Sequence, residues 1–109
     1  MKNIFALLLT SAAIAFNAQA SVPNCFESTG IFRINYKHDV TDRELLLSNL
    51  SLKNEGGFEL LGGARIGSSA FVIANGNKIK RNQRSALSLI ERLVSSGVVR
   101  DIECFNYPQ

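Results

Sequence analysis

The chain has 109 residues, with 12 Lys and Arg against 9 Asp and Glu and a formal net charge of +3. A length of this order holds one domain. Because the charges are so nearly balanced, the composition selects neither nucleic acid nor an acidic membrane surface as a partner.

Residues 1–20 have the three parts of a cleavable secretory signal. Lys2 precedes an apolar run over residues 4–16, and the small-residue motif Ala-Gln-Ala follows at 18–20. The run is shorter than the roughly 20 apolar residues that a membrane helix needs, and no cysteine stands at the cleavage point to carry a lipid. We expect a single mature domain over residues 21–109, secreted or periplasmic and without a membrane partner after cleavage.

The two cysteines, Cys25 and Cys104, both lie in the expected mature domain. An even number of cysteines in an exported chain predicts a disulfide, and the core of so small a domain gives only marginal stability without one. The rival interpretations are a metal site and a catalytic thiol. Two cysteines and one histidine without close spacing make a poor set of zinc ligands, so we expect no metal and no cofactor.

The first regular element is an alternating segment, "IFRINYK", at residues 31–37. Apolar and polar residues alternate along it, which is the period of a half-buried strand. One face carries Phe32, Ile34 and Tyr36, and the other carries Arg33, Asn35 and Lys37.

A helix is predicted to start at Thr41. Thr41 and Glu44 have the spacing of a capping box, and Val40 and Leu45 have the spacing of a hydrophobic staple around it. We expect the helix to run to about residue 50 and to bury some of its leucines, namely Leu46, Leu47 and Leu50.

Glycine pairs at 56–57 and 62–63 enclose "FELL", and "AFVIA" follows at residues 70–74. This pattern predicts two short strands joined by a glycine-rich loop, with a turn at Asn75-Gly76. An alternative pairs residues 71–74 with 77–80 as a hairpin across the same turn, because Asn-Gly favours two-residue hairpin connections.

The second helix is predicted to begin after Asn82, which can cap it, and to end at Gly97, a residue suited to the position just beyond a helix. Its inner side is expected to carry Ala86, Leu87, Ile90, Leu93 and Val94. The last strand is predicted over "VVRDIECF", residues 98–105.

The predicted order of elements is therefore β-α-β-β-α-β. Such a chain folds most economically as an α+β, ferredoxin-like split βαβ sandwich, in which a four-stranded antiparallel sheet carries both helices on one face. In its usual strand order, 4-1-3-2, the first and last strands are neighbours. Cys25 precedes the first strand and Cys104 ends the last, so this topology brings together the two cysteines that the compartment pairs.

The sequence contains no recognisable catalytic constellation. His38 stands beside Asp39 and is interpreted as an exposed loop histidine, and the serines lack a nucleophile elbow. The glycines match no phosphate-binding fingerprint, and neither Cys-x-x-Cys nor an RNA-stacking aromatic motif is present. We therefore predict no catalytic residues and no enzymatic activity. One basic cluster is interpreted as a solvated loop and first helical turn in preference to a contact for acidic lipid or nucleic acid: Lys78, Lys80, Arg81 and Arg84.

Four stretches between about residues 31 and 103 resemble the subtilisin-propeptide-like inhibitor family. They are a strand at Ile34-Asn35-Tyr36-Lys37, an acidic helix start at Thr41-Asp42-Arg43-Glu44, a middle strand at Ala70-Phe71-Val72-Ile73 and a closing segment at residues 97–103. The resemblance implies the same fold. It also implies that the domain inhibits or chaperones a subtilisin-like serine protease by laying its C-terminal tail along the substrate cleft.

The implied protease-binding tail consists of Phe105, Asn106, Tyr107, Pro108 and Gln109. No protease domain follows it in this sequence, so the resemblance implies action in trans, by a protein expected to be monomeric when free. The bridge at Cys104 lies outside the family pattern and would fix the root of the tail. An alternative is that the tail is disordered and the bridge only closes a frayed edge.

A second hypothesis is an interaction module, such as an accessory subunit or chaperone of another exported protein. It would bind through the open face of the sheet, with Arg33, Asn35 and Lys37. Loss of the tail separates the two hypotheses, because an inhibitor needs the tail and a sheet-face binder tolerates its removal.

Overall fold

The computed structural model describes residues 22–79 and 82–106. The predicted signal, two residues of the basic cluster and three residues of the tail lie outside the described residues: 1–20, Lys80, Arg81, Tyr107, Pro108 and Gln109. After a short 3₁₀ turn at Cys25–Glu27, the regular elements are β1 (Ile31–Tyr36), α1 (Asp42–Leu50), β2 (Glu59–Ile66), β3 (Ser69–Asn75), α2 (Gln83–Ser95) and β4 (Val99–Cys104).

The four strands form one sheet in the order β2-β3-β1-β4, and every neighbouring pair is antiparallel. Ile34 is the centre of this arrangement, because it lies opposite Val72 on one side and Ile102 on the other. The predicted split βαβ fold and its strand order are confirmed.

The core lies between the sheet and the two helices. Phe32, Ile34 and Tyr36 of β1 are fully buried on the helix side, as their alternation predicts, and they share one apolar cluster with Leu89 and Ile90 of α2. Burial of each such side chain stabilises the fold by about 1.5–3 kcal/mol.

An aromatic group closes one end of this core. The ring of Phe32 meets Phe26 at 5.1 Å and Phe58 at 5.5 Å between centroids, in both cases edge to face. This is the favourable geometry for aromatic pairs, and it anchors the 3₁₀ turn that carries Cys25.

The predicted disulfide joins Cys25 to Cys104, with 5.3 Å between their Cα atoms. Cys104 lies opposite Phe32 at the end of β4, and Cys25 is completely buried just before β1. By the chain-entropy account, closing a loop over a sequence separation of 79 residues stabilises the fold by about 4 kcal/mol. Disulfides of this kind persist in oxidising compartments.

The predicted start of α1 is confirmed. Glu44 donates its backbone N–H to Thr41 Oγ1 at 3.1 Å, and the backbone N–H of Thr41 donates to Glu44 Oε1 at 3.0 Å. Val40 is buried and Leu45 packs against the same core, as the staple requires. The helix continues beyond its last regular residue into a wider, π-helical turn at Ser51–Glu55.

The prediction that α1 buries some of its leucines at 46, 47 and 50 is wrong. Leu46, Leu47 and Leu50 are 58%, 50% and 43% exposed. The capping box fixes where the helix begins, and the turn of the helix then directs a different stripe inward. Its innermost residue is Ser48, which is buried against Tyr36, while Leu52 of the π-helical turn enters the core.

The second helix begins and ends where the sequence predicts. Asn82 Oδ1 accepts the backbone N–H of Ser85 at 3.1 Å, and Gly97 has φ +86, a left-handed conformation that glycine adopts without strain. The inner side differs in detail: Leu89 is buried although it was not predicted, whereas three of the predicted residues are only half-buried, namely Leu87, Leu93 and Val94.

The predicted glycine-rich loop is largely a strand. β2 continues through Gly62 and Gly63 to Ile66, with a bulge between Leu60 and Gly62, and the true turn lies at residues 67–68. A Cβ on Gly63 would collide with the Phe71 carbonyl oxygen of β3. The glycine is therefore needed for close pairing of two strands and not for a turn.

The alternative hairpin across Asn75-Gly76 does not form in the described part of the chain. β3 pairs with β1 and β2, and residues 77–78 continue as a turn. Asn75 Oδ1 accepts the backbone N–H of Asn77 at 2.8 Å, and Gly76 donates to the Gly30 carbonyl oxygen at 2.8 Å. These bonds turn the chain away from the sheet after β3.

Candidate protein-binding surface

The face of the sheet opposite the helices carries a connected group of polar and aromatic side chains. Asn35 is at its centre and is only 7% exposed. Its Nδ2 donates to Asp101 Oδ1 at 2.7 Å and to Glu103 Oε1 at 3.1 Å, and its Oδ1 accepts from Arg33 Nε at 3.1 Å. We call Arg33, Asn35, Asp101 and Glu103 the open-face network.

The network arises from strand register. On β4, Asp101 lies opposite Asn35 and Glu103 lies opposite Arg33. Each carboxylate therefore faces a hydrogen-bond donor on the neighbouring strand. On the other side of β1, the Arg33 guanidinium lies 4.2 Å from the centre of the Phe71 ring. The combination holds the long side chain of Arg33 in one place on the surface.

The carboxylate of Asp101 is the electrostatic centre of this network. Burial acts to raise the pKa of Asp101, but hydrogen bonds from Arg100 and Asn35 and the positive charges of Arg100 and Arg33 outweigh it, so the pKa is lowered. The group therefore stays ionised at neutral pH and presents a fixed, partly neutralised negative charge.

Lys37 is separate from the open-face network, although the strand alternation placed it with Arg33 and Asn35. It follows the last residue of β1, and its Nζ donates to Glu44 Oε2 of α1 at 2.9 Å. The backbone hydrogen bond from Thr41, followed by the hydrogen bond and charge of Lys37, lowers the pKa of Glu44. Lys37 thus stabilises the start of a helix on the other side of the sheet.

Phe105, the first residue of the predicted tail, still pairs with the sheet, as the strand predicted over residues 98–105 requires. Phe105 donates its backbone N–H to the Ile31 carbonyl oxygen at 2.8 Å, which extends the pairing of β1 and β4 by one residue. The register that joins Phe32 to Cys104 places the half-buried Phe105 on the open face, like Glu103. Asn106 is exposed, and the other three predicted tail residues lie outside the described residues.

The root of the tail is also held by the disulfide and by the turn that contains Cys25. The disulfide ties Cys104 to Cys25, and the Cys25 carbonyl oxygen accepts backbone N–H groups from Ser28 at 3.1 Å and Gly30 at 2.7 Å. The chain therefore leaves the sheet after Phe105 from a position that is fixed on both sides.

His38 makes a contact that the sequence did not predict. Ser68 Oγ lies 3.0 Å from its Nδ1 and 3.3 Å from its Nε2, and Asp39 Oδ2 lies 3.3 Å from Nε2. In a catalytic triad the serine and the acid bind opposite nitrogens of the ring. Here the serine lies against both nitrogens, and His38 is exposed, as expected. The missed contact follows from the position of the turn at residues 67–68 beside the end of β1.

Of the basic cluster, the structure describes Lys78 and Arg84. Lys78 Nζ lies 3.6 Å from Glu59 Oε1 of β2, and Arg84 is exposed in the first turn of α2. Lys80 and Arg81 lie outside the described residues. Within residues 22–79 and 82–106, no three metal-binding side chains come together, and no helix has the length and hydropathy to cross a membrane.

Comparisons of the chain with protein families, with curated proteins and with solved structures find no match. The fold is accordingly assigned from the structure itself.

Proposed function

We propose that the domain is an exported inhibitor or folding chaperone of a subtilisin-like serine protease, acting in trans through its open sheet face and its tail. The observation that supports this best is that the open face and the tail form one continuous surface. Phe105 belongs to the open face and is also the residue from which the tail leaves the sheet. A partner that covers the open-face network would meet the tail without crossing a gap.

The fixed root of the tail favours tight binding. An extended segment loses conformational freedom when it enters a protease cleft, and anchoring one end beforehand lowers that cost. Residues 106–109 would add to the cleft as a strand, with Gln109 nearest the catalytic serine and Tyr107 supplying most of the apolar contact. The open-face network is already held by hydrogen bonds and an aromatic contact, so little of it has to become ordered on binding.

Export to the periplasm or the exterior is part of the proposal. Its support is the signal pattern at residues 1–20 and a disulfide, which persists where thiols are oxidised. Mass spectrometry of the exported protein should give the mass of residues 21–109 with both cysteines oxidised. A protein that retains its first 20 residues, or that carries two free thiols, contradicts this part.

The functional test is inhibition of several subtilisin-type proteases by the oxidised, exported protein. We expect inhibition by the full chain and a loss of at least tenfold for a version ending at Phe105, with the fold intact. Glu91→Ala, on the exposed side of α2, is the matched control and should inhibit like the unchanged protein. Equal inhibition by the truncated version would remove the tail from the mechanism.

The open-face network supports a second candidate, an interaction module that binds another exported protein through the sheet alone. Arg33→Glu would place three acids around Asn35 and should abolish such binding, whereas truncation after Phe105 should leave it unchanged. Capture of partners from the culture supernatant with both versions distinguishes this function from inhibition of a protease.

A further inference from the structure

The two edges of the sheet differ in how well they are protected. β4 carries Arg100, Asp101 and Glu103 and ends in the disulfide. Charges and covalent closure are features that keep an edge strand from pairing with other chains. β2, at the other edge, has charged residues only near its ends, and its middle consists of the exposed small residues 62–64. Apart from its bulge, β2 is an open edge.

An apolar surface adjoins this open edge. A cleft of about 440 Å³ separates α1 from β2, and its walls include Leu45 and Asn49 of the helix and Leu60 and Leu61 of the strand. Leu46 lies beside this wall, because residues three apart on a helix are neighbours and Asn49 follows Leu46 by three. Leu46, Leu50 and Leu61 are all exposed, and exposed apolar side chains grouped in this way commonly mark an interface.

We propose that β2, together with Leu46 and Leu50 of α1, forms an interface with a second copy of the chain. The two β2 strands would pair antiparallel about a two-fold axis and join the two sheets, and each α1 would pack against its counterpart. In such an arrangement one patch binds the same patch on the partner. The small residues in the middle of β2 allow the two backbones to approach.

The charges around β2 favour a second copy as the occupant. Arg65 pairs with Asp42 at 3.3 Å at one end of the strand, and Glu59 pairs with Lys78 at 3.6 Å at the other. Antiparallel pairing brings one end against the other, so each acid meets a base across the interface. The Asp42 and Lys78 side chains are 99% and 75% exposed and are accessible to the partner.

The size of the surface fits a weak dimer. A strand of eight residues is about 26 Å long, and the layers of sheet and helix together are about 20 Å wide, which gives on the order of 500 Å² per copy. Stable interfaces bury about 800 Å² per partner. We therefore expect a dimer that forms at micromolar concentrations, in place of the monomer expected from the sequence. The difference arises because leucines predicted to be buried are on the surface.

The interface leaves β4, the tail and the open face uncovered, so it is independent of the proposed function. Sedimentation velocity of the oxidised, exported protein, from low to high micromolar concentration, should show a shift from monomer to dimer. Leu46→Lys should raise the dissociation constant at least tenfold, about 1.4 kcal/mol. Leu47→Lys is the matched control, because Leu47 is similarly exposed but lines a groove with Leu93 of α2 and Val98, which directly precedes β4. It should leave dimerisation unchanged.

Hydrogen exchange locates the contact. Amides of β2 should exchange more slowly as concentration rises, while those of β4 should not change. A protein that sediments as a monomer at every concentration overturns the proposal, as does an equal effect of Leu46→Lys and Leu47→Lys. A protein that stays monomeric while β2 binds an extended segment of another protein also overturns it and assigns the edge to that partner.

Discussion

The hydroxyl groups of Tyr36 and Ser48 lie 2.7 Å apart beneath α1, and both side chains are buried. This bond joins the end of β1 to the middle of the helix. Burial raises the pKa of the Tyr36 phenol, with the hydrogen bond to Ser48 opposing the rise, so the phenol remains protonated and able to donate at neutral pH.

We predict that this pair is energetically coupled. Tyr36→Phe and Ser48→Ala should each lower the free energy of unfolding by about 1–3 kcal/mol, because each leaves one buried hydroxyl with a poorer partner. The double variant should cost less than the two single costs together, by about 1 kcal/mol. Urea unfolding of the four proteins measures the coupling, and strictly additive costs would show that the bond contributes nothing.

The second prediction concerns the contribution of the capping box to stability. Thr41→Ala removes the acceptor for the Glu44 backbone N–H and should destabilise the protein by roughly 1 kcal/mol. Binding of a partner at the open face or the tail should be unaffected, because Thr41 lies at the start of α1, on the helix side of the sheet. If binding were lost while the melting temperature held, Thr41 would be a contact residue.

The lowered pKa of Glu44 makes the stability of the fold depend on pH. Its pKa is lowered in the folded protein, so its contribution to stability is complete above the unfolded value of about 4.3. The contribution is lost as the pH falls through the lower, folded pKa. Glu44→Gln should flatten the loss of stability over this acidic window.

Lys37→Gln provides the comparison for this effect. It removes only the ion pair and leaves the bond from Thr41, so it should flatten the acid dependence less than Glu44→Gln does. Denaturant unfolding from pH 6 to pH 3 measures the slopes, and an unchanged slope in Glu44→Gln would assign the acid sensitivity to other carboxylates.

We predict that replacing Cys25 costs more stability than replacing Cys104, although both changes break the same disulfide. Reduction or Cys104→Ser should lower stability by about 4 kcal/mol at most, through the lost constraint on the unfolded chain. Cys25→Ser should cost at least about 1 kcal/mol more, because it also places a hydroxyl in a completely buried position. Thermal melts of both variants under oxidising conditions measure the difference, and equal melting temperatures would contradict the burial of Cys25.

We predict that the two aromatic residues of the tail differ in their effect on the stability of the fold. Tyr107→Ala should weaken protease inhibition at least tenfold and leave the melting temperature unchanged, since a buried aromatic contributes about 2 kcal/mol to binding. Phe105→Ala should weaken inhibition and also lower the melting temperature, because Phe105 is half-buried on the sheet. Asn106→Ala is the control with little effect on either measurement.

Much of the fold could be predicted from local sequence signals. The capping box at Thr41, the cap at Asn82 and the stop at Gly97 each concern backbone groups within a few residues, and all three are confirmed. The leucines of α1 could not be placed in this way. The chain is apolar around much of that helix, and the choice of Ser48 as the inward residue depends on Tyr36, which is distant in sequence.

The candidate site could be predicted only in part, because some of its contacts join residues that are distant in sequence. The alternation of β1 correctly assigned Arg33 and Asn35 to the open face, but their partners Asp101 and Glu103 depend on the register of β4. Lys37 departed from the pattern because the strand ends before it. The pair His38 and Ser68 required the true position of the turn after β2, which the glycines at 62–63 concealed.

The bridge between Cys25 and Cys104 also decides how the domain responds to mechanical force. A pull applied to the chain on either side of the two cysteines would run through the S–S bond and bypass every hydrogen bond between residues inside the loop that the bridge closes. The oxidised domain would therefore remain folded under tension that unravels the reduced one. Reduction would release a loop spanning a sequence separation of 79 residues, about 260–280 Å when fully extended. The domain thus becomes extensible only after a chemical step.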